Sequence, residues 1–129
     1  MLVYRVDVKY LSEYHCRSVL ALVNSCFDSR INNLEYSYGV ICQDHGNVLG
    51  VAFVNVNNGT HHIERLCVDR SRRGEGIGTD MIAVVKEQIG LEKATLSLPG
   101  ICPRREDVIA FFQTNGFTQP KEGKMEYMP

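Results

Sequence analysis

Between His61 and Ile89 the chain reads HHIERLCVDRSRRGEGIGTDMIAVVKEQI, and few folds accept that order of characters. His61 to Val68 interleaves β-branched and apolar residues with polar ones, as a half-buried strand does. Asp69 to Gly78 holds three arginines and three glycines and cannot continue the strand. From Thr79 the apolar residues Met81, Ile82, Val85 and Ile89 recur on one helical face, and Asp80, Lys86 and Glu87 fall elsewhere. The stretch predicts a strand, a glycine loop and an amphipathic helix.

That order suits an anion. The first amides of a helix lack partners within it, and the dipole leaves partial positive charge there. Gly74, Gly76 and Gly78 let a ligand approach the backbone, and Arg72 and Arg73 bring charges that match phosphate oxygens. A nucleotide P-loop needs Lys and then Ser or Thr after its last glycine, whereas Thr79 and Asp80 follow Gly78. A dinucleotide fingerprint needs Gly-x-Gly-x-x-Gly, whereas the spacing here is Gly74-x-Gly76-x-Gly78. Neither pattern fits.

Arg73, Gly76 and Gly78 do form Arg-x-x-Gly-x-Gly after a strand ending in Val-Asp. This resembles the acetyl-CoA-binding motif of the GCN5-related N-acetyltransferase (GNAT) superfamily. The segment Val108 to Phe117, VIAFFQTNGF, resembles the second signature of that family, an aromatic pair ahead of Gly-Phe. The family often has Asn at Arg105, Ala at Val108 and Tyr at Phe112, and this chain departs at all three.

The rest of the chain follows the same order. Leu2 to Val8 alternates as a strand. Ser12 can cap a helix in which Cys16, Val19, Leu20, Val23 and Phe27 share a face. Asp28 to Tyr36 is a polar loop. Strands are predicted at Tyr38–Gln43 and Val48–Val56, with turns at Asp44–Asn47 and Asn58-Gly59 making an antiparallel meander. Gly90 ends the central helix in the left-handed conformation, and Ala94–Leu98 returns parallel to His61–Val68. Pro103 opens a helix with Val108, Phe111 and Phe112 as its apolar stripe, and Gly116 ends it. Short strands close the chain at Phe117–Gln119 and Lys124–Met128. The expected fold is α/β (α+β): one mixed, mostly antiparallel sheet flanked by helices, with a splayed central parallel pair, in a single domain over residues 1–129.

With 129 residues and a net charge of −1, the chain has one core and no global pull toward nucleic acid or membrane. The five cysteines are odd in number and lack Cys-x-x-Cys spacing, so they read as free thiols of a reducing compartment. No leader pattern or membrane-length apolar run is present, and the protein reads as cytosolic, or nuclear by diffusion. A metal site from His61, His62, Glu64 and Cys67 is disfavoured, because neighbouring strand residues point to opposite faces.

The resemblance implies direct transfer of acetyl from acetyl-CoA, as co-substrate, to a primary amine of a small molecule or protein. It implies cofactor contacts from Leu66, Cys67 and Val68, from Arg73, Gly74, Glu75, Gly76, Ile77, Gly78 and Thr79, and from Arg105 and Phe112. Strict alternation would put His62, Glu64, Leu66 and Val68 on one face. Either Glu64 or His62 could then deprotonate the amine through a water; a solvated strand face carries the same residue types, and the sequence leaves both readings open. With Phe112 at the usual tyrosine position, Tyr127 or water is left to protonate the thiolate. The loops that would shape the acceptor site place Asp28, Glu35 and Tyr36 as candidate contacts. A monomer or homodimer is expected, and the alternative function is a non-catalytic CoA-binding regulatory module of the same fold.

Overall fold

The computed structural model describes residues 2–8, 21–23, 36–97 and 105–129. Its strands are β1 Leu2–Val8, β2 Tyr38–Asp44, β3 Asn47–Asn57, β4 Thr60–Val68, β5 Lys93–Ser97 and β6 Lys124–Tyr127. They lie side by side in sequence order in one six-stranded sheet. All neighbours are antiparallel except β4 and β5. Helix α1, Ile77–Ile89, links that parallel pair, and α2, Arg105–Thr114, lies between β5 and β6.

Short-range chemistry sets the meander. His45-Gly46 and Asn58-Gly59 both take positive φ at two successive residues, as a two-residue type I′ hairpin requires. Glu122-Gly123 does the same ahead of β6. The strand expected at Phe117–Gln119 is reduced to a single backbone bond, Thr118 N–H to Glu126 O at 2.8 Å, beside the Lys121–Lys124 bridge.

Helix α1 begins at Ile77 rather than Thr79, because Gly76 takes the N-cap with φ 83°. It ends at Gly90, whose φ of 61° is positive as expected but whose ψ of −117° is not that of a left-handed helix. The expected N-terminal helix is described only at residues 21–23, which are helical, with Leu22 and Val23 buried. Ser12, Cys16, Cys26, Leu98, Cys102 and Pro103 lie outside the described residues.

Two apolar layers cover the sheet. Ile77, Met81, Ile82, Val85 and Ile89 of α1, with Val108 and Phe112 of α2, pack on Val40, Ala52, Val54, Ile63, Leu96 and Met125. On the opposite face Leu22, Val23 and Tyr36 pack on Ile41, Val51, Phe53 and Cys67. Each buried aliphatic side chain contributes about 1.5–3 kcal/mol, so the sheet is held from both sides. Cys42 and Cys67 are buried free thiols.

Candidate active site

The parallel pairing of β4 with β5 runs from Thr60↔Lys93 to Ile63↔Leu96, close to Ser97, where the described part of β5 ends, and β4 continues to Val68. On its other edge β4 is irregular at the same point. Val54 of β3 pairs with Ile63, but Phe53 pairs with Arg65, so Glu64 is an extra residue. A β-bulge bends its strand and increases the local twist. This one falls directly after the last β4–β5 rung among the described residues. The expected splay would begin at this bulge, beside residues 98–104, which lie outside the described residues.

The bulge also corrects the expectation that His62, Glu64, Leu66 and Val68 share a face. His61 and Ile63 lie on the α1 side with Tyr38 and Val54. Beyond the extra residue, Leu66 and Val68 join them there, and Cys67 turns to the opposite cluster. His62 stands opposite Asn55 on the face away from α1 and α2, and the Glu64 side chain joins it, with Asn55 Nδ2 donating to Oε1 at 3.3 Å.

The two adjacent histidines thus have separate partners. His61 is 4% exposed; its Nδ1 lies 2.8 Å from the Tyr38 hydroxyl and its Nε2 2.9 Å from Glu92 Oε1. His62 Nδ1 lies 2.9 Å from Thr95 Oγ1 across the β4–β5 rung. Among the described residues, no group of three or more His, Cys, Asp or Glu could hold a metal ion.

The glycine loop stands at the far end of β4. Asp69 N–H donates to Leu49 O at 2.7 Å, and the Asp69 carboxylate accepts from Ser71 N–H at 2.9 Å, holding Arg70–Arg72 in a 3-10 turn. The Ser71 bonds keep the Asp69 carboxyl below its ordinary pKa. Gly74 and Gly76 have φ 84° and 83°, and an added Cβ at either would meet nothing within 4 Å. They are needed for backbone conformation and leave open space above the amides. Gly78 differs: a Cβ there would lie 3.1 Å from Phe111 Cζ, so it serves the contact between α1 and α2. The first helical N–H to find its partner within α1 is that of Asp80, to Gly76 O at 3.0 Å, and no side chain caps the N-terminus. Ile77, Gly78 and Thr79 therefore present the amides that precede the helical ladder.

Of the two arginines expected to supply phosphate charge, Arg73 is exposed and its Nε donates to Val68 O at 3.2 Å. Arg72 is engaged otherwise: its Nε lies 2.9 Å from Glu75 Oε2 and its guanidinium reaches Asp44 at 3.5 Å.

Other predicted residues are placed elsewhere. Phe112 is fully buried, edge-on to Phe111 and Phe117 at 5.1 and 5.0 Å, so its ring has no surface for a ligand. The aromatic that reaches the loop is Phe111, missed because helical spacing alone does not say which member of the pair turns inward. Tyr127 sits opposite Ala94, toward the paired start of β5, with Lys86 Nζ 4.6 Å above its ring; it is not brought to the splay. Tyr36 is buried and stacked on Phe53 at 4.9 Å, on the face that carries His62 and Glu64. Arg105 begins α2. Asp28 and Glu35 lie outside the described residues.

The fold finds counterparts in solved structures. The chain resembles YhhK of E. coli bound to coenzyme A, with a TM-score of 0.78 and 17% identity, covering 100% of this chain and 99% of that one. It resembles the ribosomal-protein-S18-alanine N-acetyltransferase of Escherichia coli, with a TM-score of 0.77 and 12% identity over 98% and 94%. It also resembles an acyl-CoA N-acyltransferase of Pseudomonas aeruginosa, with a TM-score of 0.76 and 16% identity over 98% and 99%. At such identities the likeness is one of fold. No curated protein sequence matches the chain. The family model described as an acetyltransferase (GNAT) domain matches residues 35–119, and with the fold in agreement, the chain belongs to the GNAT family of acyltransferases.

Proposed function

We propose that this acyltransferase moves an acetyl group from acetyl-CoA to a primary amine. The observation that carries the reading is the glycine loop that follows β4 directly and opens α1 with uncapped amides, just beyond the bulge at Glu64. The pyrophosphate lies on the amides of Arg73 to Thr79, where the start of α1 offers donors and dipole. The pantetheine arm lies in the splay and bonds backbone near Leu66 and Val68. The acceptor reaches the thioester from the face of His62 and Glu64, opposite α1 and α2.

The amine arrives protonated at neutral pH and must lose a proton before attack. Glu64, exposed and hydrogen-bonded to Asn55, accepts that proton through a water. The amine nitrogen then bonds the carbonyl carbon, a backbone amide near Leu66 meets the oxyanion, and the C–S bond breaks. As the C–S bond breaks the nitrogen sheds its second proton, and water carries it to the leaving thiolate, since Tyr127 stands toward the paired end of β5.

Support comes from family membership and from a structural relative solved with coenzyme A. The expected soluble cytosolic setting, absence of a resident metal and monomeric or homodimeric state belong to the same reading. The test is thiol release from acetyl-CoA with a panel of primary amines, followed by mass detection of the acetylated amine. Release that requires an amine supports the reading; tight CoA binding without any acetyl product across the panel favours a binding module.

A further inference from the structure

Three carboxylates stand at the loop that the proposed reading gives to the pyrophosphate, and each meets a donor. Asp69 accepts from Ser71 N–H and Oγ–H at 2.9 and 2.7 Å. Asp80 accepts from the Tyr4 hydroxyl at 2.9 Å. The two oxygens of Glu75 accept from Arg72 Nε at 3.0 and 2.9 Å. Glu75 is the critical one, because it lies between the positive-φ residues Gly74 and Gly76. A free carboxylate there would be drawn to the first amides of α1 by the helix dipole, and would compete with a phosphate for the same donors. Arg72 is in turn held by Asp44 at the end of β2, at 3.5 Å.

We infer that Arg72 is a positioning residue for the cofactor loop: bridging Asp44 and Glu75, it holds the Glu75 carboxylate off the amides that receive the pyrophosphate. The inference rests on the acyl-CoA reading above. Arg72 touches no phosphate in this account. It acts through Glu75, so its loss does harm only while Glu75 keeps its charge.

The test is a double-mutant cycle read by calorimetric titration with CoA. Arg72→Ala should weaken binding about tenfold or more, and the deficit should shrink at high salt. Glu75→Gln should tighten binding, since one negative charge leaves the loop. Arg72→Ala combined with Glu75→Gln should regain most of what Arg72→Ala loses. A double variant as weak as Arg72→Ala alone overturns the inference, because Arg72 would then touch the phosphate or merely brace the loop. Failure of the wild-type protein to bind CoA sinks the acyl-CoA reading instead. The clamp is then judged by amide hydrogen exchange over residues 77–79: a freed Glu75 carboxylate should protect those amides, and exchange no slower in Arg72→Ala than in wild type overturns it.

Discussion

His62 Nδ1 lies 2.9 Å from Thr95 Oγ1, so a side-chain bond spans β4 and β5 one rung before the last described pairing, Ile63↔Leu96. The bond fixes the ring beside the bulge at Glu64. Thr95→Val keeps the branched shape and strand preference but removes the partner. It should cost about 0.5–1.5 kcal/mol in denaturant unfolding and shift the His62 ring-nitrogen resonances. Unchanged resonances would mean that the bond is not made in solution.

Glu64→Gln should lower turnover by about 10²–10⁴-fold while leaving CoA affinity nearly unchanged, as loss of a general base does. The deficit should shrink between about pH 6 and pH 9 as free amine accumulates. His62→Ala should do less. Wild-type turnover in Glu64→Gln across that range, with chemistry rate-limiting, would leave the acid as part of the polar face and nothing more.

Gly76→Val places a branched side chain at φ 83°, where an L-residue is strained by about 1–2 kcal/mol. Its Cβ projects into the open space above the amides. CoA binding should vanish by calorimetry, with circular dichroism still showing the folded protein. Unaltered affinity would remove the glycine loop from the cofactor site.

Arg73→Ala should weaken CoA by about 1–3 kcal/mol, the size of a charge-assisted contact. The dephosphorylated pantetheine arm should lose far less. Equal losses for the two ligands would show that Arg73 braces β4 through Val68 O rather than meeting phosphate.

Burial pushes the Tyr38 hydroxyl above its ordinary value near 10, and the Glu92 carboxylate adds to the effect. The folded protein keeps this proton at pH values where the unfolded chain has released it. The stability it carries is whole below about pH 10 and is lost as pH climbs further. Tyr38→Phe has no such proton, so its alkaline unfolding curve should be flatter than that of wild type. At neutral pH it should cost about 1–3 kcal/mol, because His61 Nδ1 is left buried without its partner. Identical alkaline slopes in the two proteins would count against this origin.

Much of the molecule could be read from local rules. Asn58-Gly59 and Asp44 to Asn47 set the meander, because two-residue turns with positive φ fix strand register through their own geometry. Gly74 and Gly76 made the turn after β4 legible for a similar reason, both taking positive φ. The facing of β4 could not be read by strict alternation, which assumes that no residue is extra. A signal was present: Glu64-Arg65 puts two charged residues in succession between Ile63 and Leu66, where a half-buried strand should carry one. Which of two adjacent histidines turns inward was likewise undecidable locally, since Tyr38 and Glu92, distant in sequence, supply the partners of His61. Phe111 and Phe112 posed the same problem, settled by Phe117 on one side and Gly78 on the other.

Deletion of Glu64 would spare the sheet and remove its bulge. Ile63 and Arg65 already pair with the consecutive residues Val54 and Phe53, so excision would leave a regular ladder with every side chain on the face it now occupies. The shortened strand would lose its bend. Under the proposed reading, a chain one residue shorter should fold at least as stably and lose its way of admitting a thioester. On that reading folding and chemistry make opposite demands on this single position, and the present sequence satisfies the second.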